Sequence, residues 1–195
     1  MTTLIVTPTR GRSVDSEYAV GLMHSAGVHN GWMPMSGQSD IYVARNSLAN
    51  EFLRTTHDDM ICIDSDIGFT RDDLLNLISS PYPFVSGVYP SKTRAGSPVL
   101  VLEDDKVPLP TEGFVKAKYV PGGFLKIHRS VFDAIKPFAS EYGPVDKPNY
   151  QFYNGIIEDR MLLSEDYSFC ILAKKAGFTP MVNCKIRLKH DGLTL

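Results

Sequence analysis

The stretch Met60-Ile61-Cys62-Ile63-Asp64-Ser65-Asp66-Ile67-Gly68-Phe69 limits the folds open to this chain more than any other. Four largely apolar residues, two of them β-branched, pass without a break into two carboxylates separated by one small residue. That is the pattern of a strand buried on both faces whose carboxyl end opens at an active-site edge. In an open α/β sheet ligands gather outside the carboxyl ends of the strands, and a pair of acids there can hold a hard divalent cation against a bound diphosphate. The competing reading gives Asp64 and Asp66 to a solvated turn that caps the next helix. An Asp-x-Asp alone does not separate the two, so its neighbours must.

Upstream, Thr3-Leu4-Ile5-Val6-Thr7 reads as a first buried strand and Pro8-Thr9-Arg10-Gly11-Arg12 as the turn leaving it. The proline is expected to stop pairing, and Arg10 to sit where a nucleotide would lie. Val14, Tyr18, Leu22 and Ala26 recur every fourth residue, which predicts a helix halted by Gly27. Residues 28–38 lack a pattern and hold the single tryptophan, Trp32, which either stacks on an acceptor or belongs to the core. Over residues 41–55, Leu48, Phe52 and Leu53 mark a helical face behind Ala44-Arg45-Asn46. Arg45 near the start of that helix can fork onto a phosphate or a base edge, or it can make a structural ion pair.

Downstream, Thr70-x-x-Asp73 has the form of a capping box ahead of a short helix, and residues 84–88 form another apolar strand. The alternation implies a parallel sheet with right-handed crossovers. Residues 98–102 and 114–120 read as short strands of a hairpin or flap, which makes the sheet mixed. Gly122-Gly123 opens a further strand and permits close backbone approach to a ligand, or marks a bulge. A helix is expected from Ser130 to about Pro137, followed by a long irregular stretch over residues 141–160 suited to a lid or acceptor loop. Ser164 is expected to cap a helix that opens on Glu165-Asp166 and closes at Gly177; two acids in a first turn can be mere dipole complements. A last strand runs from Met181 to Ile186, and His190 beyond it is a candidate imidazole ligand.

At 195 residues, with 43% apolar and 22% charged side chains, the chain suits one core and therefore a single domain over residues 1–195. A net charge of −2 argues against wrapping nucleic acid by bulk charge. Leu4-Ile5-Val6 follows the start directly with no signal-peptide pattern, and no apolar run reaches transmembrane length. Cys62, Cys170 and Cys184 are odd in number and set among apolar neighbours, so they read as buried thiols in a reducing, cytoplasmic setting.

In this order and at this spacing, Thr7-Pro8-Thr9, Ala44-Arg45-Asn46, Asp64-Ser65-Asp66, Gly122-Gly123, Glu165-Asp166 and His190-x-Gly192 resemble the motifs of a GT-A glycosyltransferase of the family 2 kind, in the compact form found in large viruses and phages. The resemblance covers almost the whole chain. It implies an α/β, Rossmann-like GT-A domain with a mixed, mostly parallel sheet flanked by helices. It implies a nucleotide-sugar donor, with Mn²⁺ or Mg²⁺ on its diphosphate held by Asp66 and completed by His190; an imidazole ligand would favour Mn²⁺. Asp64 would serve the metal or the ribose. Thr7, Pro8, Thr9, Arg10, Arg45 and Ser65 would line the nucleotide, and Gly122 and Gly123 would face the sugar or acceptor. Asp166 is implied as the general base of an inverting transfer, with Glu165 as the fallback; retention stays open. The Gln-x-x-Arg-Trp motif of processive synthases is absent, which points to transfer of a single sugar.

The acceptor is a surface glycan or protein, or a hydroxymethylated pyrimidine in phage-type DNA, with the host cytoplasm as the setting if the chain is viral. A DNA acceptor would draw on Arg10, Arg12, Lys92, Arg94, Lys116, Lys118 and Lys126. The alternatives are a non-catalytic nucleotide-sugar module and a nucleotidyltransferase; the lack of a glycine-rich, lysine-bearing phosphate loop counts against the latter. The sequence is silent on oligomeric state.

Overall fold

The computed structural model describes residues 2–93, 96–104, 106 and 108–195; Arg94 lies outside them. The elements follow as β1 (Thr3–Thr9), α1 (Ser16–His24), β2 (Gly31–Ser36), α2 (Ile41–Leu53), β3 (Asp59–Ile63), β4 (Ile67–Gly68), α3 (Arg71–Ile78) and β5 (Phe84–Val88). Then come β6 (Val101–Leu102), β7 (Phe114–Tyr119), β8 (Phe124–His128), α4 (Arg129–Ile135), β9 (Ser140–Tyr142) and β10 (Asn149–Gln151). The chain continues with β11 (Ile156–Glu158), β12 (Met161–Leu163), α5 (Glu165–Lys175), β13 (Met181–Arg187) and β14 (Lys189–His190).

Eight strands form one sheet in the order β2-β1-β3-β8-β5-β13-β7-β6. Only β8 and β7 run against the other six, so the sheet is mixed and mostly parallel, as expected. Alternating side chains build a core on each face. Leu4, Val6, Met60 and Cys62 pack with Leu48, Phe52, Phe132 and Phe169, which brings α2, α4 and α5 to one side. Ile5, Ile61 and Ile63 pack with Tyr18, Leu74 and Leu77 of α1 and α3 on the other. Burying each large apolar side chain contributes about 1.5–3 kcal/mol. The two-faced burial of β3 is therefore what its unbroken apolar run encodes.

The capping box forms, with Thr70 N–H donating to Asp73 Oδ2 at 2.9 Å and Asp73 N–H donating to Thr70 Oγ1 at 3.2 Å. Gly27 and Gly177 follow their helices with φ of 80° and 89°, a conformation open to glycine at little cost. All three cysteines are buried and free; burial pushes the Cys62 and Cys170 thiols up to about 12.

Several expectations need correction. The unpatterned stretch 28–38 holds an edge strand, β2; its burial alternates and it carries Pro34, which an edge tolerates. Pairing also runs through Pro8, opposite Met35, because β3 has left β1 after Val6 and the missing N–H can fall on the open side. Helix α4 starts one residue early and is capped by the His128 side chain rather than opened by Ser130. The supposedly irregular residues 141–160 hold β9–β10 and β11, the first strand of the β11–β12 hairpin, with Phe152 and Tyr153 fully buried between. Asn46 on α2 fastens that crossing: its Oδ1 accepts from the N–H groups of Phe152 and Tyr153 at 2.8 and 2.9 Å, and its Nδ2 donates to Tyr153 O at 2.7 Å.

Candidate functional site

Strands β1, β3 and β5 all end at one edge of the sheet, and antiparallel β8 begins there. The topology thus delivers Thr9, Asp64, Tyr89 and Gly122-Gly123 to the same rim. Helix α5 adds Glu165 and Asp166 from its first turn. Strand β14 adds His190 by pairing with β4, His190 opposite Ile67 and Lys189 opposite Gly68.

At the centre of this rim lies Arg45, only 6% exposed. Its Nη2 donates to both oxygens of Asp64 at 3.1 and 3.0 Å, and its Nε lies 3.2 Å from Glu165 Oε1. Of the two readings open in the sequence, the structure gives Arg45 the ion pair: its guanidinium faces the acids rather than the solvent. Burial pushes the Asp64 and Glu165 carboxyls above their ordinary range, since one guanidinium shared between them offsets only part of the lost hydration. Burial also opposes the Arg45 charge, but Asp64, Glu165 and Asp166 outweigh it and hold the cation firmly.

The glycine pair is required by this cluster. A Cβ on Gly122 would overlap Arg45 Nη1, and one on Gly123 would overlap the Tyr89 hydroxyl and come within 3.1 Å of Asp64 Oδ2. Gly123 N–H donates to Tyr89 Oη at 2.9 Å, and Asp64 N–H donates to Gly123 O at 3.0 Å. Gly122→Ala is therefore expected to displace the guanidinium and cost about 1–3 kcal/mol, the usual range for overfilling a packed site. A denaturant midpoint equal to the parent's would show instead that the loop yields freely.

Asp166 stands beside the cluster. Its Oδ2 accepts from Gly122 N–H at 3.2 Å, while Oδ1 accepts from Tyr167 N–H at 2.9 Å and from the Ser164 hydroxyl. Ser164 accordingly makes no side-chain cap on α5, contrary to expectation. The N–H that such a cap would use, that of Tyr167, donates to Asp166 Oδ1 instead.

His190 Nδ1 donates to Pro90 O at 2.7 Å, which leaves Nε2, 3.8 Å from Asp66 Oδ2, as the ring nitrogen open to a ligand. Among the described residues no three His, Cys, Asp or Glu side chains form a closed metal cage. The pair Asp66 and His190 nonetheless suits an ion shared with a substrate: such ions are often held by one or two protein groups and completed by phosphate oxygens and water. An imidazole whose other nitrogen is fixed by a carbonyl is the usual form of a ligating histidine. Asp64, engaged by Arg45, is less available for that part.

The remaining residues expected to line a nucleotide divide. Pro8, Thr9 and Arg10 line a cavity of about 390 Å³ with Gln38, Asp40, Tyr42 and Ala44, between the end of β1 and the start of α2. Ser65 lies in the turn between the two acids, its carbonyl accepting from Asp15 N–H at 2.8 Å. Thr7 does not face the cavity; it is fully buried, with its hydroxyl 2.5 Å from Tyr18 Oη and accepting from Trp32 Nε1 at 3.1 Å. The same indole N–H bond anchors Trp32, which keeps only part of its ring exposed.

Among the described residues, the basic side chains do not gather into one groove. Lys126 is 1% exposed and donates to Ile78 O and Ser80 O, Lys92 pairs with Asp66, and Lys116 and Lys118 stand on β7 at the far side of the sheet from Arg10. Sequence reasoning passed over Tyr89, Asp191 and the pairing role of Lys92; the position of Tyr89-Pro90 just past an apolar strand was the available signal.

No family model and no curated protein sequence matches this chain. Solved structures do. A197 from STIV aligns at a TM-score of 0.65 and 16% identity, over 97% of this chain and 85% of that one. GalNAc-T7, crystallised with UDP, GalNAc and Mn²⁺, aligns at a TM-score of 0.54 and 10% identity, over 100% of this chain and 45% of that one. At these identities the likeness establishes the fold, and the fold is GT-A-like. Among the described residues no helix is long and apolar enough to cross a membrane.

Proposed function

We propose that the chain is a metal-dependent glycosyltransferase that moves one sugar from a nucleotide-sugar donor to an acceptor hydroxyl, with inversion. The observation that carries the reading is the convergence of Asp64, Asp66, Gly122, Gly123, Glu165, Asp166 and His190 on one rim of a GT-A-like sheet, beside a cavity lined by Pro8, Thr9 and Arg10. The ligands of GalNAc-T7, UDP, GalNAc and Mn²⁺, support it from a fold neighbour.

In this reading the nucleotide lies in the cavity at the end of β1. Asp66 and His190 would hold Mn²⁺ or Mg²⁺, which would offset the charge developing on the leaving nucleoside diphosphate. Arg45 pairs with Asp64 and Glu165 and fixes their orientation. Asp166 takes the proton of the acceptor hydroxyl, and the Gly122-Gly123 backbone forms the wall between donor and acceptor. The dispersed lysines favour a glycan or protein acceptor over DNA.

A thermal-shift screen of nucleotide-sugars with and without Mn²⁺ tests the proposal. A ligand at a hundredfold excess over its dissociation constant stabilises the native state by about 2.7 kcal/mol, so a true donor stands out. Asp66→Ala is expected to lose the Mn²⁺-dependent part of that shift while keeping the melting temperature of the unliganded chain. An unaltered metal response in Asp66→Ala would remove Asp66 from the site.

A further inference from the structure

One cation already sits at the acidic edge. Lys92 Nζ lies 2.6 Å from Asp66 Oδ2, the oxygen to which His190 Nε2 is also nearest at 3.8 Å, and 3.8 Å from Asp191 Oδ2. Two carboxylates thus flank one ammonium, and an imidazole lies beside the nearer of them. The arrangement is built from three segments. Lys92 follows the end of β5, Asp66 follows β3, and Asp191 follows β14, its N–H donating to Asp66 O at 3.1 Å. The lysine's segment is anchored on both sides of Pro90: Tyr89 O accepts from Val99 N–H at 3.0 Å, Pro90 O accepts from His190, and Ser91 N–H donates to Ser97 O at 2.8 Å.

Resting on the reading that Asp66 and His190 take a divalent ion, we propose that Lys92 is an internal counter-ion that holds this position until the ion and a diphosphate arrive together. The argument is one of competition. Asp66 Oδ2 has one strong cationic partner, and an ammonium and a divalent ion brought to the same oxygen repel each other. A divalent ion alone must therefore expel Lys92 toward exposed Asp191 and water. A diphosphate provides a stronger receiver, because a lysine ammonium is a mobile point charge well suited to phosphate oxygens. Half-exposed Lys92 can change partners without disturbing the core. The ion should consequently bind weakly by itself and more tightly with the donor, which keeps the acceptor side from meeting a metal site without substrate.

The test uses the full chain, with Mn²⁺ alone and then Mn²⁺ plus inorganic pyrophosphate as probes, followed by calorimetry or by the electron paramagnetic signal of free Mn²⁺. Lys92→Met is expected to bind Mn²⁺ alone about fivefold more tightly than the parent, matching the strength of an exposed ion pair. Lys92→Arg, which keeps the charge, should stay near the parent, and pyrophosphate should narrow the gap between Lys92→Met and the parent. Adding Asp66→Ala to Lys92→Met should abolish the gain. Equal Mn²⁺ affinity in the parent and Lys92→Met, with binding still lost in Asp66→Ala, overturns the counter-ion role and leaves the metal reading standing. Mn²⁺ binding that survives Asp66→Ala in both backgrounds overturns the two together.

Discussion

Asp166→Asn is expected to bind donor and metal as the parent does while transferring sugar about 10² to 10⁴-fold more slowly, the usual span for removing a general base. The asparagine keeps an oxygen for the Gly122 N–H, so the bond that ties α5 to the glycine loop can persist. What disappears is the group able to take a proton, together with the acceptor for the Tyr167 N–H and the Ser164 hydroxyl. The structure also refines the choice between the two acids. Glu165 is spent on Arg45, whereas the partners of Asp166 are N–H and O–H groups that hold it in place without neutralising it. Glu165→Gln should therefore cost less in transfer and more in stability. Release of nucleoside diphosphate from the donor, with or without an acceptor, gives the measurement. Parental turnover in Asp166→Asn would turn the assignment toward a retaining route in which this acid only organises the helix start.

Arg45→Met is expected to lower unfolding free energy by about 3–5 kcal/mol, because it leaves Asp64 and Glu165 buried beside each other without their shared cation. Chemical denaturation of the parent and variant reads this directly as a shift in midpoint at constant slope. The pairing has a second signature. Replacing Glu165 by Gln in the Arg45→Met background removes one of the stranded charges and should restore part of the loss, although Glu165→Gln alone destabilises. A cost below about 1 kcal/mol, the range of exposed pairs, would show that water reaches the cluster and that the guanidinium is free to serve a ligand.

How much of this was legible in the sequence differs by element. The β1, β3 and β5 strands, the capped α3 and the helix ahead of Asp64 announce themselves through unbroken apolar runs, a reciprocal cap and a four-residue period, all of them local signals. Strand β2 does not, since an edge strand with a proline and one solvated face carries only half a pattern. The hairpins over residues 140–163 were hidden for another reason: their exposed Ile157, Met161 and Leu162 break the expected polarity, and the burial of Phe152 and Tyr153 depends on Asn46, more than a hundred residues away along the chain. At the site, the types and order of the acids could be read from spacing, but their partners could not. Whether Arg45 faces a ligand or a carboxylate is decided by the depth at which α2 packs, and Lys92 meets Asp66 only because β5 ends two strands from β3.

His190 reaches the rim through a two-residue pairing of β14 with β4, a ribbon far shorter than the ladders of the main sheet. Short ladders open at lower free energy than the whole domain. The histidine and the neighbouring Asp191 can therefore leave while every helix stays folded, and warming should empty the rim of this pair before the global transition begins. Hydrogen exchange at the Asp191 amide, which donates to Asp66 O across this ribbon, would report how often the rim is complete, a quantity distinct from how much of the protein is folded.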